Sequence, residues 1–566
     1  ARLGGWAQAS VRWIVERRLV LGTGLVAAIP VIASTVRAVS ARWVPLGDDG
    51  VIAVRAFDVF STHSPLLGQY SNSSGVTGQE LHSLGPLLYW LLALPVHLFG
   101  YASPAVTMGL VNTACVIGVV LLARRRGGPA LMIATAVAVA LMCGSFAAEV
   151  LHDVWNPAAA LMPFTLLIFL AWSLACGEHR LLPVTVLVAS FVAQCHMTYV
   201  LPALGMLAVA TVGLIVSRRS AGPGRREPLR RWAIAAVAVA AVCWSAPLLD
   251  QAIHRPGNLV VLARTATSHQ TTLGAAAGGR AVVRAVGIPP WWLRPAPEPI
   301  PRLGELAGGK GSRPPGAFAI ATTVLILAAV LGLGLAAVRR RRHDVAAALA
   351  VSLVLCATLA LAVASTPLKD NLFLSVGYTS WWGAPAGMFV WLALGWSALA
   401  LFPLRRATGL RVPAWATAAG VGAAAVVAAL VAANAGPDPL SSDFRPVRAI
   451  IARIDAQVPR DRPVFVDSAS TYAGIGFQPA VVLALRRRGI PVTSAALLPA
   501  LGQHYNPTRH PDAAILRIDE GDRPAPPGGR VIARVSVHAP SGKAFGQLAP
   551  AGGRVTVTLA PRRPAG

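Results

Sequence analysis

Gly47-Asp48-Asp49-Gly50 sets two adjacent carboxylates a few residues beyond the first membrane-length apolar run, Arg18 to Arg37. The pair opens a polar loop, about residues 38–103, ahead of the next such run. Acids beside a bilayer are costly to keep unless something uses them. The runs on either side set the fold class, and the pair raises the question of chemistry.

Apolar segments recur at about 18–37, 104–123, 129–147, 157–176, 181–197, 200–217, 232–249, 316–338, 345–364, 384–404 and 412–434. Each has the length of a membrane-spanning helix, which predicts roughly eleven spans. The chain has 566 residues, 55% hydrophobic and 13% charged, with a mean hydropathy of +0.59. A soluble chain carries about a quarter charged residues. The fold class read from this is a mainly α polytopic membrane protein over residues 1–434. After Asn434 the composition becomes that of a soluble domain, residues 435–566. There, 464–466, 513–518, 531–537 and 555–559 read as strands and 479–488 as a helix, which makes a small α/β domain. It holds no Gly-rich phosphate loop and no nucleophile motif, so a supporting or sugar-binding role is expected of it.

The net charge of +27 would suggest nucleic acid in a soluble protein. Here the arginines sit mainly in short connections, as topology signals and contacts to anionic lipid, and no nucleic-acid partner is expected. Arg12, Arg17 and Arg18, Arg124 to Arg126, the cluster from Arg218 to Arg231, Arg339 to Arg342, and Arg405, Arg406 and Arg411 all fall on one side if the helices alternate. The positive-inside rule then puts the N-terminus in the cytoplasm. The loop with Asp48 and Asp49, and everything after about residue 435, lies outside the cell membrane. All six cysteines lie in or at the ends of apolar runs, which argues against a disulfide framework, and no Cys/His metal spacing occurs.

Polar residues gather at the outer turns. Asp48, Asp49, Arg55, Asp58, His63, Tyr70, Glu80 and His82 belong to the first loop, followed by Glu149, His152, Asp153 and Asn156. Gln194, His196 and Tyr199 mark a later turn, then Asp250, Gln251 and His254, then Lys369, Asp370, Asn371 and Tyr378. The inner turns offer chiefly arginine, so one outward-facing polar cavity is expected. Taken singly, Asp58, Glu80 or Asp370 reads as a solvated loop acid, and Arg55 and Asp58 as an i, i+3 helix pair. His196 reads equally as a capping histidine, His152 as an interfacial polar residue, and Trp291-Trp292 and Trp381-Trp382 as interfacial anchors. Pro86 to Pro95, with Tyr89 and Trp90, reads as a helix lying in the interface.

One span, an acidic pair in the first outer loop, and the interfacial segment His82-Ser-Leu-Gly-Pro-Leu-Leu-Tyr-Trp90 together resemble the GT-C glycosyltransferases. The likeness is to the protein O-mannosyltransferase and lipid A aminoarabinose transferase branches. Ser64 to Ser71, Asp153-Val-Trp-Asn-Pro157, Gln194-Cys-His196, and Asp250-Gln251 with Pro256 to Leu259 resemble actinobacterial membrane proteins of that superfamily. The resemblance spans about residues 18–260.

It implies an inverting transfer of a sugar from a polyprenyl phosphate carrier to a polysaccharide, lipoglycan or protein acceptor on the outer face. Asp48 or Asp49 would be the base, a choice left open. Arg55, His82, Asp153, Asn156, Gln194, His196, Asp250, Gln251 and Lys369 would form the substrate-binding shell. The leaving phosphate needs a cation, for which Arg55, Arg264, Arg280, Arg284 and Lys369 are candidates. No obligatory metal is expected, although Asp48, Asp49 and Asp153 offer oxygens to a divalent cation such as Mg or Mn. Two other classes compete: a transporter for lipid-linked sugars, which would need ionisable residues deep in helices, and a scaffold displaying the C-terminal domain.

Overall fold

The computed structural model describes residues 18–71, 74, 78, 80–220, 228–267, 270–294, 314–368, 377–402, 413–537 and 553–561. Its helices are α1 (Arg18–Ala27) and α2 (Ile29–Ser40), α3 (Gly47–Asp58), α4 (Leu87–Leu98), α5 (Ser103–Cys143), α6 (Asn156–Ala175), α7 (Leu182–Cys195), α8 (Val200–Ser220) and α9 (Arg230–Ile253). There follow α10 (Asn258–Thr267), α11 (Gly274–Val286), α12 (Ala317–Arg339), α13 (His343–Ala364), α14 (Gly383–Leu401) and α15 (Ala414–Asn434).

Among the described residues, 8 helices are long and apolar enough to cross a membrane, or 9 if the pair α1 and α2, bent by 57°, is one span. The protein is therefore a multi-pass membrane protein. The expected eleven segments are all helical, but two merge and one is short. The second and third join as α5, broken where Gly127 and Gly128 leave helical geometry. Gly128 has φ 70°, ψ −163°, which an L side chain resists, and Pro129 then restarts the helix. α7 has 14 residues. α6 is the central helix, with 94% of its apolar window buried, whereas α9, α12 and α15 bury 22% or less of theirs. Their exposed Leu and Val side chains form the lipid-facing surface.

The bundle has two chemically distinct ends. At one, Arg125 and Arg126 pair with Glu178, while Arg340 and Arg342 donate to the carbonyls of Leu401 and Ala400 at the end of α14. Cations at a helix C-terminus satisfy its open carbonyls and its dipole. The other end carries α3 and everything after α15.

Beyond Asn434 lie α16 (Ser441–Gln457), β1 (Val464–Asp467), α17 (Thr471–Gly476), α18 (Gln478–Arg487), β2 (Val492–Thr493), β3 (Ala514–Glu520), β4 (Arg530–Ser536) and β5 (Arg554–Ala560). The sheet order is β2-β1-β3-β5-β4, with β1 parallel to β2 and β3, and β5 antiparallel to β3 and β4. The four strands and the helix expected from the sequence are here within one or two residues. β2, only two residues long, and α16, whose Phe444, Val447, Ile450, Ile451 and Ile454 form one buried stripe, are additional.

This layer is bolted to the membrane part through α3 and α4. A methyl group on Gly50 would lie 2.6 Å from Pro479 Cβ, so α3 and α18 touch backbone to side chain. Arg487 donates to the carbonyls of Val96 and Phe99, both at 2.7 Å, and closes the end of α4. Asp58, expected as a solvated loop acid, is fully buried in this seam. It accepts from Arg486 at 3.0 Å and from the Tyr505 hydroxyl at 2.9 Å, and the His63 imidazole lies at 3.2 Å. Arg55 stands 3.9 Å from it and donates to Leu501 O at 2.7 Å. Arg55 and His63 are local, but the sequence could not foretell the burial itself, because Arg486 and Tyr505 lie more than four hundred positions downstream.

Candidate active site

A cavity of about 1030 Å³ lies where the polar end of the bundle meets the C-terminal layer. Asp48, Gln69, Tyr70, Trp155, Asn156, His196, Thr198 and Tyr378 line it from the membrane side. Ser468 to Ser470, Ile475, Pro479 and Leu497 line it from the other.

Asp48 and Asp49 occupy the first turn of α3, where exposed backbone N–H groups and the helix dipole favour negative charge. Consecutive helical residues diverge by about 100°, and here the divergence separates two environments. Asp48 opens onto the cavity, its Oδ2 accepting from Trp155 Nε1 at 3.0 Å and its carboxylate also bonded by Gln69. Although open to the cavity, it sits deep among protein atoms. That desolvation raises its pKa, and the Trp155 and Gln69 bonds pull it back partway.

Asp49 is absent from the cavity wall and meets Asp153 instead. Burial, then the Asp153 carboxylate, then Asp48 and Asp438 hold its pKa well above the usual carboxylate range. Asp153 is raised as well, mainly by burial, and is partly relieved by the bond from Asp49. Two carboxyls this close resist ionising together, so the Asp49–Asp153 pair favours holding a proton between them. Asp153 in turn accepts from Trp155 N at 2.9 Å, fixing the turn that aims the Trp155 indole at Asp48. Burial also lifts Glu149 to about 8 and Asp438 to about 6 and depresses His152 to about 4. Despite this concentration of acids, no three His, Cys, Asp or Glu side chains among the described residues are arranged to hold a metal ion.

His196 faces the cavity beside Tyr378, ring centroids 6.1 Å apart. Its Nδ1 accepts from Thr198 N at 3.2 Å, so the neutral ring carries its proton on Nε2. Burial lowers its pKa to about 4, leaving a neutral hydrogen-bond donor at neutral pH. Asn156 lines the cavity while its amide donates to Cys195 O at 3.0 Å, tying the start of α6 to the end of α7.

The remaining shell residues stand outside the cavity. Asp250 Oδ2 accepts from Asn258 N at 3.0 Å, and Gln251 Oε1 from Val260 N at 3.3 Å, so both cap α10. The Asn258 side chain grips the His82 backbone twice at 3.0 Å. The chain around His82 pairs with residues 68–71, Ser83 N donating to Gln69 O at 2.8 Å. This relay positions Gln69 against Asp48. Gln194 donates to Cys243 O at 2.7 Å, and its backbone lies against Gly68. Among the described residues no Lys or Arg lines the cavity: Arg55 belongs to the Asp58 seam, and Arg264, Arg280 and Arg284 lie elsewhere. Lys369 falls outside the described residues, two positions beyond the lining residue Pro367. Trp155, Gln69 and the C-terminal wall were not singled out by residue chemistry. The first two lie inside the stretches Asp153 to Pro157 and Ser64 to Ser71 and were visible only as motif members.

No family model matches the chain, and no curated protein does. Among solved structures, ArnT from Cupriavidus metallidurans bound to undecaprenyl phosphate is 13% identical, over 96% of this chain and 98% of that one, with a TM-score of 0.46. The apo state of the same protein is 12% identical over 97% and 98%, with a TM-score of 0.47. Likeness at this level leaves the reaction of this chain to its own residues.

Proposed function

We propose that the protein is a membrane glycosyltransferase of GT-C type. It transfers a sugar from a polyprenyl phosphate carrier to a hydroxyl of a cell-envelope acceptor on the outer face of the membrane. Asp48 carries the reading. It is a cavity-facing carboxylate held by an indole donor, beside a second acid whose pKa is raised by burial and by Asp153. In the proposed step Asp48 takes the acceptor hydroxyl proton while the acceptor oxygen bonds to the anomeric carbon from the face opposite the phosphate. The anomeric C–O bond breaks, its electron pair leaving with the phosphate oxygen. The raised pKa of Asp48 makes it a better base than a solvated aspartate, and its charge faces the developing oxocarbenium. His196 Nε2–H is a neutral donor to sugar hydroxyls, and Trp155 and Tyr378 offer ring faces for stacking. Lys369 is the candidate counter-charge for the leaving phosphate.

The test supplies labelled polyprenyl-phosphate sugars to membranes carrying wild type, Asp48→Asn or Asp49→Asn. Asp48→Asn is expected to lose roughly 10²–10⁴-fold in kcat, the range for a general base. Full transfer by Asp48→Asn would remove the proposed base. Wild-type protein that moves lipid-linked sugar across vesicles without transferring it would instead make this chain a transporter.

A further inference from the structure

We infer that the carboxyl edge of β1 in the C-terminal layer is the acceptor subsite, and that it takes an uncharged sugar unit. The inference rests on the glycosyltransferase reading for the word acceptor; the binding site itself stands on the following geometry.

β1 has parallel neighbours on both sides, β2 and β3. In an open α/β sheet the place where connections depart to opposite sides leaves a crevice at the carboxyl ends of the strands, the usual ligand position. Here the turn after β1, Ser468-Ala469-Ser470, opens into the same cavity as Asp48. A crevice of this kind commonly receives an anion, but its donors are already taken. Glu520 Oε1 accepts from the N–H groups of Tyr472 at 2.9 Å and Ala473 at 3.3 Å, and Asp519 Oδ1 accepts from Ala469 N at 3.1 Å. With two carboxylates built into this edge, a phosphate or carboxylate ligand placed there would meet repulsion.

The surface left over suits a sugar ring, which has apolar C–H faces and hydroxyl edges. Ala469 is exposed and Ile475 is 57% exposed, and both line the cavity. The hydroxyls of Ser468 and Ser470 flank them, each already oriented by the backbone: Ser468 by Ser470 and Ser470 by Glu520 N. The aromatic wall of Trp155 and Tyr378 belongs to the same cavity. Its volume, about 1030 Å³, is at the upper end for a small-ligand site and leaves room for a donor sugar and an acceptor sugar together.

Binding to the full-length protein in detergent is measured by calorimetry, using uncharged mannose, galactose, glucose and arabinose trisaccharides and mannotriose 6-phosphate. Wild type is expected to bind at least one neutral trisaccharide and to bind the phosphorylated form at least tenfold more weakly. Ala469→Trp is expected to weaken neutral binding at least tenfold and to raise the acceptor KM by a similar factor, while Asp48→Asn still binds. Ile475→Arg, on a side chain already exposed, is expected to shift preference toward the phosphorylated sugar, and it keeps the test open if Ala469→Trp misfolds. Equal or tighter binding of mannotriose 6-phosphate by wild type, or binding untouched by both substitutions, overturns the subsite while leaving transfer intact. Trisaccharide binding that responds as expected in a protein that transfers from no donor upholds the subsite and sinks the transferase reading.

Discussion

Helix α3 carries two acidic sites, and they are electrostatic opposites. At its C-terminal end Asp58 is ringed by Arg486, Arg55, His63 and the Tyr505 hydroxyl, and those partners outweigh burial and hold its pKa below the ordinary value. At its N-terminal end Asp48 and Asp49 have acids for company and no adjacent cation among the described residues, so burial wins and both pKa values rise. Three turns of one helix thus separate a carboxylate made to stay charged from one made ready to accept a proton. Acids crowded by protein and left without counter-ions are common where chemistry is done, whereas compensated ones are common in seams.

The contrast can be broken most severely at Asp58. Asp58→Ala leaves Arg486 buried and unpaired, and a loss of about 3–5 kcal/mol in stability is expected, read as a lowered melting temperature in detergent. Acid should mimic this in the wild type. A depressed folded pKa contributes stability that is present above the unfolded value, about 3.9, and is lost as pH falls through the folded one. A melting temperature insensitive to Asp58→Ala would make the seam ornamental.

A middle-sized effect is expected at Trp155. Trp155→Phe removes a hydrogen bond to the charged form of Asp48, a loss of about 1.5–3 kcal/mol. Its signature is directional: the Asp48 pKa rises further, so the acid limb of the rate profile moves to higher pH. A profile that drops in height without moving would mean that the indole only shapes the cavity.

The smallest effect belongs to Asp49→Asn. Because burial and Asp153 disfavour a charge on Asp49, an amide in its place keeps a donor toward Asp153, and melting temperature and transfer should change little at neutral pH. A collapse of transfer equal to that of Asp48→Asn would mean that Asp49 is the ionised member and would reverse the assignment.

The bundle was legible because a span needs an uninterrupted apolar length, and that length survives in any local window of sequence. The strands of the C-terminal layer were legible for the same reason, as local β-rich runs. What faces the cavity was not. Asp48 and Asp49 differ by one step around a helix, and no pattern in Gly47 to Gly50 says which step points inward. In sequence Asp58 reads as solvated because Arg486 and Tyr505 reach it only after the chain has folded back across the whole membrane part. Asp250 and Gln251 were recognised as motif members, yet their work is to cap α10 and, through Asn258 and His82, to hold Gln69. Residue type alone cannot tell a ligand from the support of a ligand.

The contact of Gly50 with Pro479, and the grip of Arg487 on the end of α4, have a consequence for biosynthesis. The helix bearing Asp48 acquires its outer wall only from residues made more than four hundred positions later. A nascent chain halted after α15 would hold every membrane-length helix among the described residues and still lack the outer wall of the cavity. Synthesis must therefore pass Leu497 before the cavity around Asp48 is walled on both sides, which makes the C-terminal layer a late and necessary part of that cavity.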